Sequence, residues 1–263
     1  MTTLTSDHAD RIREQFTKQA DPFAAFRIHS QEISLEWLRE ELHLSGEDRV
    51  LDAGCGPGLV ACHLAPHVGT MVGVDATPAM VAKARQIAAE RGCVNASFQE
   101  GIMERLPFPD AVFDGVVTRY TFHHLLDADL ALAELVRVCR PGGRVVVCDA
   151  APNPGARAAY DEWERIRDPS HTSAHTAQEL MDAATRCMTD VTLRSFRLDA
   201  GFDLLVASSF PNPGGADLLR ERLRADIGIN ALDLDARLVE GRLHLSFPIA
   251  LVSGTVPNQD AST

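Results

Sequence analysis

In VLDAGCGPGLV, residues 50–60, Asp52 stands two residues ahead of three glycines at alternate positions, Gly54, Gly56 and Gly58. A strand running through such a loop into a helix brings bare backbone against a ligand and aims free N–H groups at it. The dinucleotide pattern GxGxxG needs its third glycine at position 59, which is Leu59, so the spacing is GxGxG and a nicotinamide cofactor is disfavoured. Asp75 closes the next β-branched run, VGVDAT. An acid at the carboxyl end of the second strand of an open α/β sheet is placed to accept hydrogen bonds from ribose hydroxyls. Proton chemistry has its candidates in Tyr120, His123 and His124 of RYTFHHL, and in His171 and His175 of DPSHTSAHT. The last two are four apart and read as one helix face, but no third or fourth ligand has a supporting spacing, so no metal is expected. His63 and His67 flank Pro66 and read as a solvated helix end. Six cysteines without a CxxC pair read as reduced thiols in apolar segments.

These residues need elements to hold them. From residue 49 onward short β-branched runs alternate with amphipathic stretches, the mark of βαβ units and a parallel sheet. The strands are expected at 49–53, 70–75, 95–100, 113–118, 144–150, 191–198 and 242–254, with Pro248 placing the last at a sheet edge or a bulge. Helices are expected at 57–65, at 78–92 behind Thr77 and Pro78, and at 127–140 before Pro141-Gly142-Gly143. Residues 8–44 and 154–188 are helical in character, the latter interrupted around RDPSHTSAH, and 200–240 read as a helical insertion, although FDLLVASSF also fits a strand. The expected fold is α/β, Rossmann-like. It has a seven-stranded, mostly parallel sheet, helices on both faces and an antiparallel last strand. Its parts are an N-terminal helical lid (1–44), a core (45–199), a helical insertion for the acceptor (200–241), the last core strand (242–256) and a loose tail (257–263).

The chain has 263 residues, 25 Lys+Arg and 37 Asp+Glu, for a formal charge of −12. That surface repels nucleic acid and anionic lipid, so neither is an expected partner. MTTLTSDHADRIREQF lacks the apolar core of a signal peptide, and no window reaches the ~18 apolar residues of a membrane span, so the expected location is cytoplasmic. The oligomeric state is open, a homodimer being one option.

Taken together, VLDAGCGPG, GVDAT, EGIMERLPFPDAVFDGVVTRYTFHHL and LVRVCRPGGRVVVCD resemble the class I S-adenosylmethionine-dependent methyltransferases. The resemblance is to the ubiquinone/menaquinone C-methyltransferase-like branch, also called methyltransferase type 11, and it covers residues 49–150. It implies S-adenosylmethionine as cofactor and a small-molecule methyl acceptor. By position it implies that Asp52, Gly54, Cys55, Gly56 and Gly58 hold the methionine part, that Asp75 takes the ribose and that Ala76 and Met80 flank the adenine. Relatives read GDAExLPF where this chain has Gly101-Ile102-Met103-Glu104-Arg105-Leu106-Pro107-Phe108. Ile102 replaces the aspartate that would bond the adenine amino group, which leaves Met103 and packing to recognise it, with Glu104 alongside. Arg119 is implied to border the methionine moiety. Residues 16–23 resemble the lid of such sites, with Phe16 and Phe23 as covers.

Methyl transfer from a sulfonium needs no acid for the leaving group; it needs alignment and, for a protonated nucleophile, a base. Candidate catalytic residues are therefore His123, His124, Tyr120 and His171. The acceptor is expected among the flanking helices, with Phe16, Phe23, Phe26, Tyr160 and Trp163 as apolar lining. Transfer to oxygen or carbon is the leading reading. The alternatives are a protein of this fold using the bound sulfonium for other chemistry or regulation, and a NAD-dependent dehydrogenase.

Overall fold

A computed structural model describes residues 6–25 and 33–258, without the side chains of residues 6 and 21–25. Two helices come first, α1 (Ser6–Ala25) and α2 (Ile33–Leu42). The core follows as β1 (Arg49–Ala53), α3 (Leu59–Leu64), β2 (Thr70–Asp75), α4 (Pro78–Glu90), β3 (Ala96–Glu100), β4 (Phe113–Arg119), α5 (Ala128–Val138) and β5 (Cys139–Ala150). Then come α6 (Arg157–Arg167), α7 (Ala177–Thr185), β6 (Thr189–Gly201), α8 (Phe202–Ser209), α9 (Gly215–Ala225), β7 (Arg237–Val239) and β8 (Arg242–Thr255).

The strands form one sheet in the order β3-β2-β1-β4-β5-β8-β6, with β7 pairing β8. The pairs β1·β2, β1·β4, β2·β3 and β4·β5 are parallel, and β8 is antiparallel to both its long neighbours. The inner strands β1, β2, β4, β5 and β8 are buried on both faces, which explains their near-continuous apolar runs, whereas β3 and β6 at the edges are largely exposed or half-buried. Consecutive residues divide between the two cores: Val50, Val117 and Val146 face α2, α3 and α4, whereas Leu51, Val116, Val145 and Val147 face α5 and α7. The chain leaves β1 toward β2 and β3, then crosses over to β4 and β5. That reversal opens a crevice at the carboxyl ends of β1 and β4.

Several expectations need correcting. An eighth strand, β7, forms a hairpin with β8 inside the stretch expected to be wholly helical, because Leu238 pairs Leu243 around a turn at Glu240-Gly241. FDLLVASSF resolves as helix α8. The helix expected to reach residue 140 ends at Val138; strand β5 begins at Cys139, and a register shift against β4 absorbs Pro141-Gly142-Gly143. β8 is an interior strand. Pro248 is tolerated because its carbonyl accepts from Ala151, just beyond the last β5 residue, so its ring nitrogen faces the same side, past the end of that ladder. The expected break around RDPSHTSAH is present, residues 168–176 being non-helical, and it overturns the shared helix face read for His171 and His175. Asp168 Oδ1 accepts from the Ser170 N–H and hydroxyl, and Thr172 bonds the His123 and Leu125 carbonyls, which satisfies this loop without a helix. Among the described residues no helix is long and apolar enough to cross a membrane.

Candidate functional site

The loop after β1 is held by Val74, whose carbonyl accepts the N–H groups of Gly54 and Cys55 at 2.8 and 2.9 Å. Gly54 has φ +72°, and a Cβ there would lie 2.5 Å from the Thr121 hydroxyl oxygen. Gly54→Ala is therefore expected to lower stability by roughly 1–3 kcal/mol, through αL strain and overpacking. Thr121→Ala in the same chain should recover part of that loss, as denaturant midpoints of the single and double variants would show. Gly56 differs: at φ +49°, a Cβ would meet nothing within 4 Å, because this residue borders a cavity.

That first cavity encloses about 1080 Å³ of empty space at the β1–β4 crevice. Asp52, Gly54, Cys55, Gly56, Asp75, Ala76, Met80, Met103, Glu104 and Arg119 all line it. Gly58 does not. It caps α3 at φ +81° and packs on Ala84 and Phe98, where a Cβ would sit 3.0 and 3.1 Å away, so its role is close helix–strand packing. Asp75 Oδ2 accepts from Gly56 N–H at 2.9 Å and Oδ1 from Thr77 N–H at 2.8 Å. Burial pushes the Asp75 carboxyl above the ordinary range, against those two donors. Burial also pushes Asp52 up to about 7, opposed by the Arg119 charge and by the Ala61 N–H at 3.1 Å. Arg119 donates to the Ser34 hydroxyl at 3.2 Å and lies 5.0 Å over the Tyr120 ring. Burial raises Glu104 and sends the Cys55 thiol well up, so Cys55 is a packing residue and not a nucleophile. Ile102 stands on the wall as an apolar surface. From α1, Ala9, Ile12, Arg13 and Phe16 cover the cavity, and His8 Nε2 fixes that helix to the His124 carbonyl at 2.9 Å. Phe23 and Phe26 lie outside the described side chains.

A second cavity of about 740 Å³ adjoins the first, and Phe16 and Tyr120 line both. Tyr120 follows β4 at φ +57°, its N–H bonded to the Cys148 carbonyl at 2.8 Å. α1, α6 and α8 contribute to the second cavity, and β5, β6 and β8 do too, through Ala150, Leu198 and Ile249. The sheet thus borders both cavities. Tyr160 is on the wall. Trp163 is not: it is fully buried and ties α6 to α9 through Nε1–H to the Leu219 carbonyl at 3.3 Å.

The adjacent histidines part company, His123 lining the second cavity and His124 the first. His123 Nδ1 meets Asp149 Oδ1 at 2.5 Å, and Asp149 also accepts the N–H groups of Phe122 and Ala150 at 2.6 Å each. Burial opposes charging of this imidazole, but the Asp149 charge and hydrogen bond, with Glu164 beyond, raise its pKa above the ordinary value. Burial, then the neighbouring His123, pushes His124 down to about 3, so it stays neutral, with Nδ1 3.1 Å from the Ser170 hydroxyl. His171 reaches neither cavity; its Nε2 bonds Asp161 at 2.7 Å and its ring backs His123 at 5.5 Å. As a catalytic candidate it is thereby displaced to a supporting position, because the loop turns it inward. His175 lines a separate surface depression between α5 and α7.

Asp149 was missed by the sequence reading, although an acid ending the VVVCDA run carries the same strand-end signal as Asp75. Glu164, Arg167 and Asp168 gave no such signal. Among the described residues no His, Cys, Asp or Glu group could hold a metal ion.

Residues 51–147 match the family model described as a methyltransferase domain. Over 166 residues the chain is 36% identical to the uncharacterized methyltransferase YcgJ of Bacillus subtilis, covering 62% of this chain and 66% of that protein. Over 133 residues it is 38% identical to the demethylmenaquinone methyltransferase of Thermus thermophilus, covering 49% and 60%. The chain thus spans just under two thirds of these curated relatives' own lengths. The crystal structure of the Bacillus subtilis YcgJ protein superposes with a TM-score of 0.77 at 28% identity, covering 86% of this chain and 98% of that one.

Proposed function

This chain belongs to the methyltransferase-domain family, and from that premise we propose that it transfers the methyl group of S-adenosylmethionine to oxygen or carbon of a small-molecule acceptor. One observation carries the reading: two cavities, one on the glycine loop and one lined by His123 with Asp149 behind it, share Phe16 and Tyr120 as lining residues.

The first cavity fits S-adenosylmethionine. Gly56 leaves open the space that a Cβ would fill, and Asp75 has acceptor capacity beyond the two N–H groups it already holds. Met80, Ile102 and Met103 offer an apolar wall for the base, while Asp52 and Arg119 stand at the methionine end. When bound, this cofactor supplies an activated methyl group whose departure needs no acid. The protein's own residues then have two tasks. Phe16 and Tyr120 stand between the two cavities, where donor and acceptor would meet, and α1 covers the first. His123, oriented by Asp149 through Nδ1, keeps Nε2 for the proton of an acceptor hydroxyl or enol. The acceptor sits in the second cavity, whose wall is largely apolar with a few polar groups, the usual make-up of a small-molecule site.

Calorimetry with S-adenosylmethionine and with NAD, followed by turnover with phenol, quinone and polyketide acceptors, tests this. We expect sulfonium binding, a methylated product and accumulation of S-adenosylhomocysteine. NAD binding with no sulfonium binding would defeat the reading, and sulfonium binding with no methylated product would favour non-transfer chemistry.

A further inference from the structure

The second cavity is apolar over most of its wall, and its charged groups are already engaged with the protein. Arg167 grips Glu164 twice, Nη2 at 2.5 Å and Nε at 2.9 Å, and spends Nη1 on the Ser209 hydroxyl at 3.0 Å. Asp168 accepts the Ser170 N–H and hydroxyl on one oxygen and the Gln19 amide at 3.3 Å on the other. A ligand carboxylate would find no free cation here and would face Glu164 and Asp168. An ammonium would have to displace bonds already made.

Two polar atoms on the wall are different. Sealed polar atoms without a partner among the described residues belong to His63, Thr77, Thr118, His171 and His175. The Tyr160 hydroxyl and His123 Nε2 also bond nothing among the described residues, but they are not sealed, and both side chains line this cavity. They stand on one wall, each against the His171 ring, at centroid distances of 6.4 and 5.5 Å. A hydroxyl that opens onto a cavity and is bonded to no protein group is available to a ligand there, and a ligand that displaces its water must replace that hydrogen bond.

We infer that Tyr160 is a specificity-determining residue: the cavity takes an uncharged hydroxyaryl or enol acceptor carrying a second oxygen, and the Tyr160 hydroxyl donates to that oxygen while the reacting one faces His123. This rests on the methyl-transfer reading above and adds the class of acceptor to it.

Calorimetry on the S-adenosylhomocysteine-saturated protein, with 2-naphthol, 2,3-dihydroxynaphthalene, 3-methoxy-2-naphthol and 3-hydroxy-2-naphthoate as probes, tests it. The two dioxygenated neutral probes should bind about 3–10-fold tighter than 2-naphthol, the worth of one neutral hydrogen bond, and the anion weakest. The methyl ether should match the diol, because an ether oxygen still accepts from Tyr160. In Tyr160→Phe that preference should vanish while the 2-naphthol Kd stays within about twofold. Equal binding of the mono- and dioxygenated probes, a preference that survives in Tyr160→Phe, tightest binding of the naphthoate, or no binding of any probe would each overturn the inference. Should Tyr160→Phe fail to fold, the methyl ether comparison in the parent decides alone. If S-adenosylhomocysteine itself does not bind, the underlying reading fails, and the same probes on the free protein still decide the role of Tyr160.

Discussion

Asp75→Ala is expected to weaken S-adenosylmethionine binding by at least ~10²-fold. Two charge-assisted hydrogen bonds to ribose hydroxyls are worth about 1.5–3 kcal/mol each, so their joint loss spans ~10²–10⁴ in Kd. The variant also frees the N–H groups of Gly56 and Thr77, which Asp75 now holds, and so loosens the loop facing the ligand. Asp75→Asn should lose less, since its carbonyl still accepts one bond. Acid should act in the same direction as the alanine variant. Burial raises this carboxyl, so it protonates at a higher pH than an exposed aspartate and the cofactor is released as pH falls through that range. Calorimetric titration of the three proteins supplies the numbers, and an alanine variant with the parent's Kd would remove Asp75 from the site.

His123→Asn should leave that Kd nearly unchanged and lower kcat/KM for a hydroxyl acceptor by about 10²–10⁴-fold, the range for loss of a positioned general base. Asparagine can keep a donor toward Asp149, so the Asp149 carboxylate is not stranded, while nothing replaces Nε2. The pH profile is the sharper readout. A base works in its neutral form, and Asp149 raises the His123 pKa. In the parent, kcat/KM should therefore climb with pH along a limb centred above the ordinary imidazole value of about 6.5. Asp149→Asn removes the charge that raises it and should move that limb to lower pH. In His123→Asn the limb should be absent. A variant that kept the parent's kcat/KM and limb would show that the proton leaves by another route.

Much of the first cavity was legible in the sequence because its parts are local. A glycine loop between strand and helix, an acid closing the next strand and a Thr-Pro helix start all declare themselves within a dozen residues. Their backbone requirements, a left-handed φ at Gly54 or an N1 proline at Pro78, belong to single positions. The second cavity was far less legible. His123 and Asp149 are 26 residues apart, and they meet only because parallel pairing of β4 with β5 brings both strand ends to one rim. Tyr160 and Arg167 come from α6, whose pattern gave its helicity but not its neighbours.

The sequence by itself determined the parallel sheet, the cofactor-type loop and the strand-end acid, because each follows from periodicity or from one residue's steric and charge needs. Tertiary structure alone decided that two neighbouring histidines line two cavities, that His171 turns inward from a loop, that β8 lies inside the sheet, and which charges pair around the second cavity. Such outcomes depend on which distant segments pack together, and packing free energy is summed over contacts that no short window of residues contains.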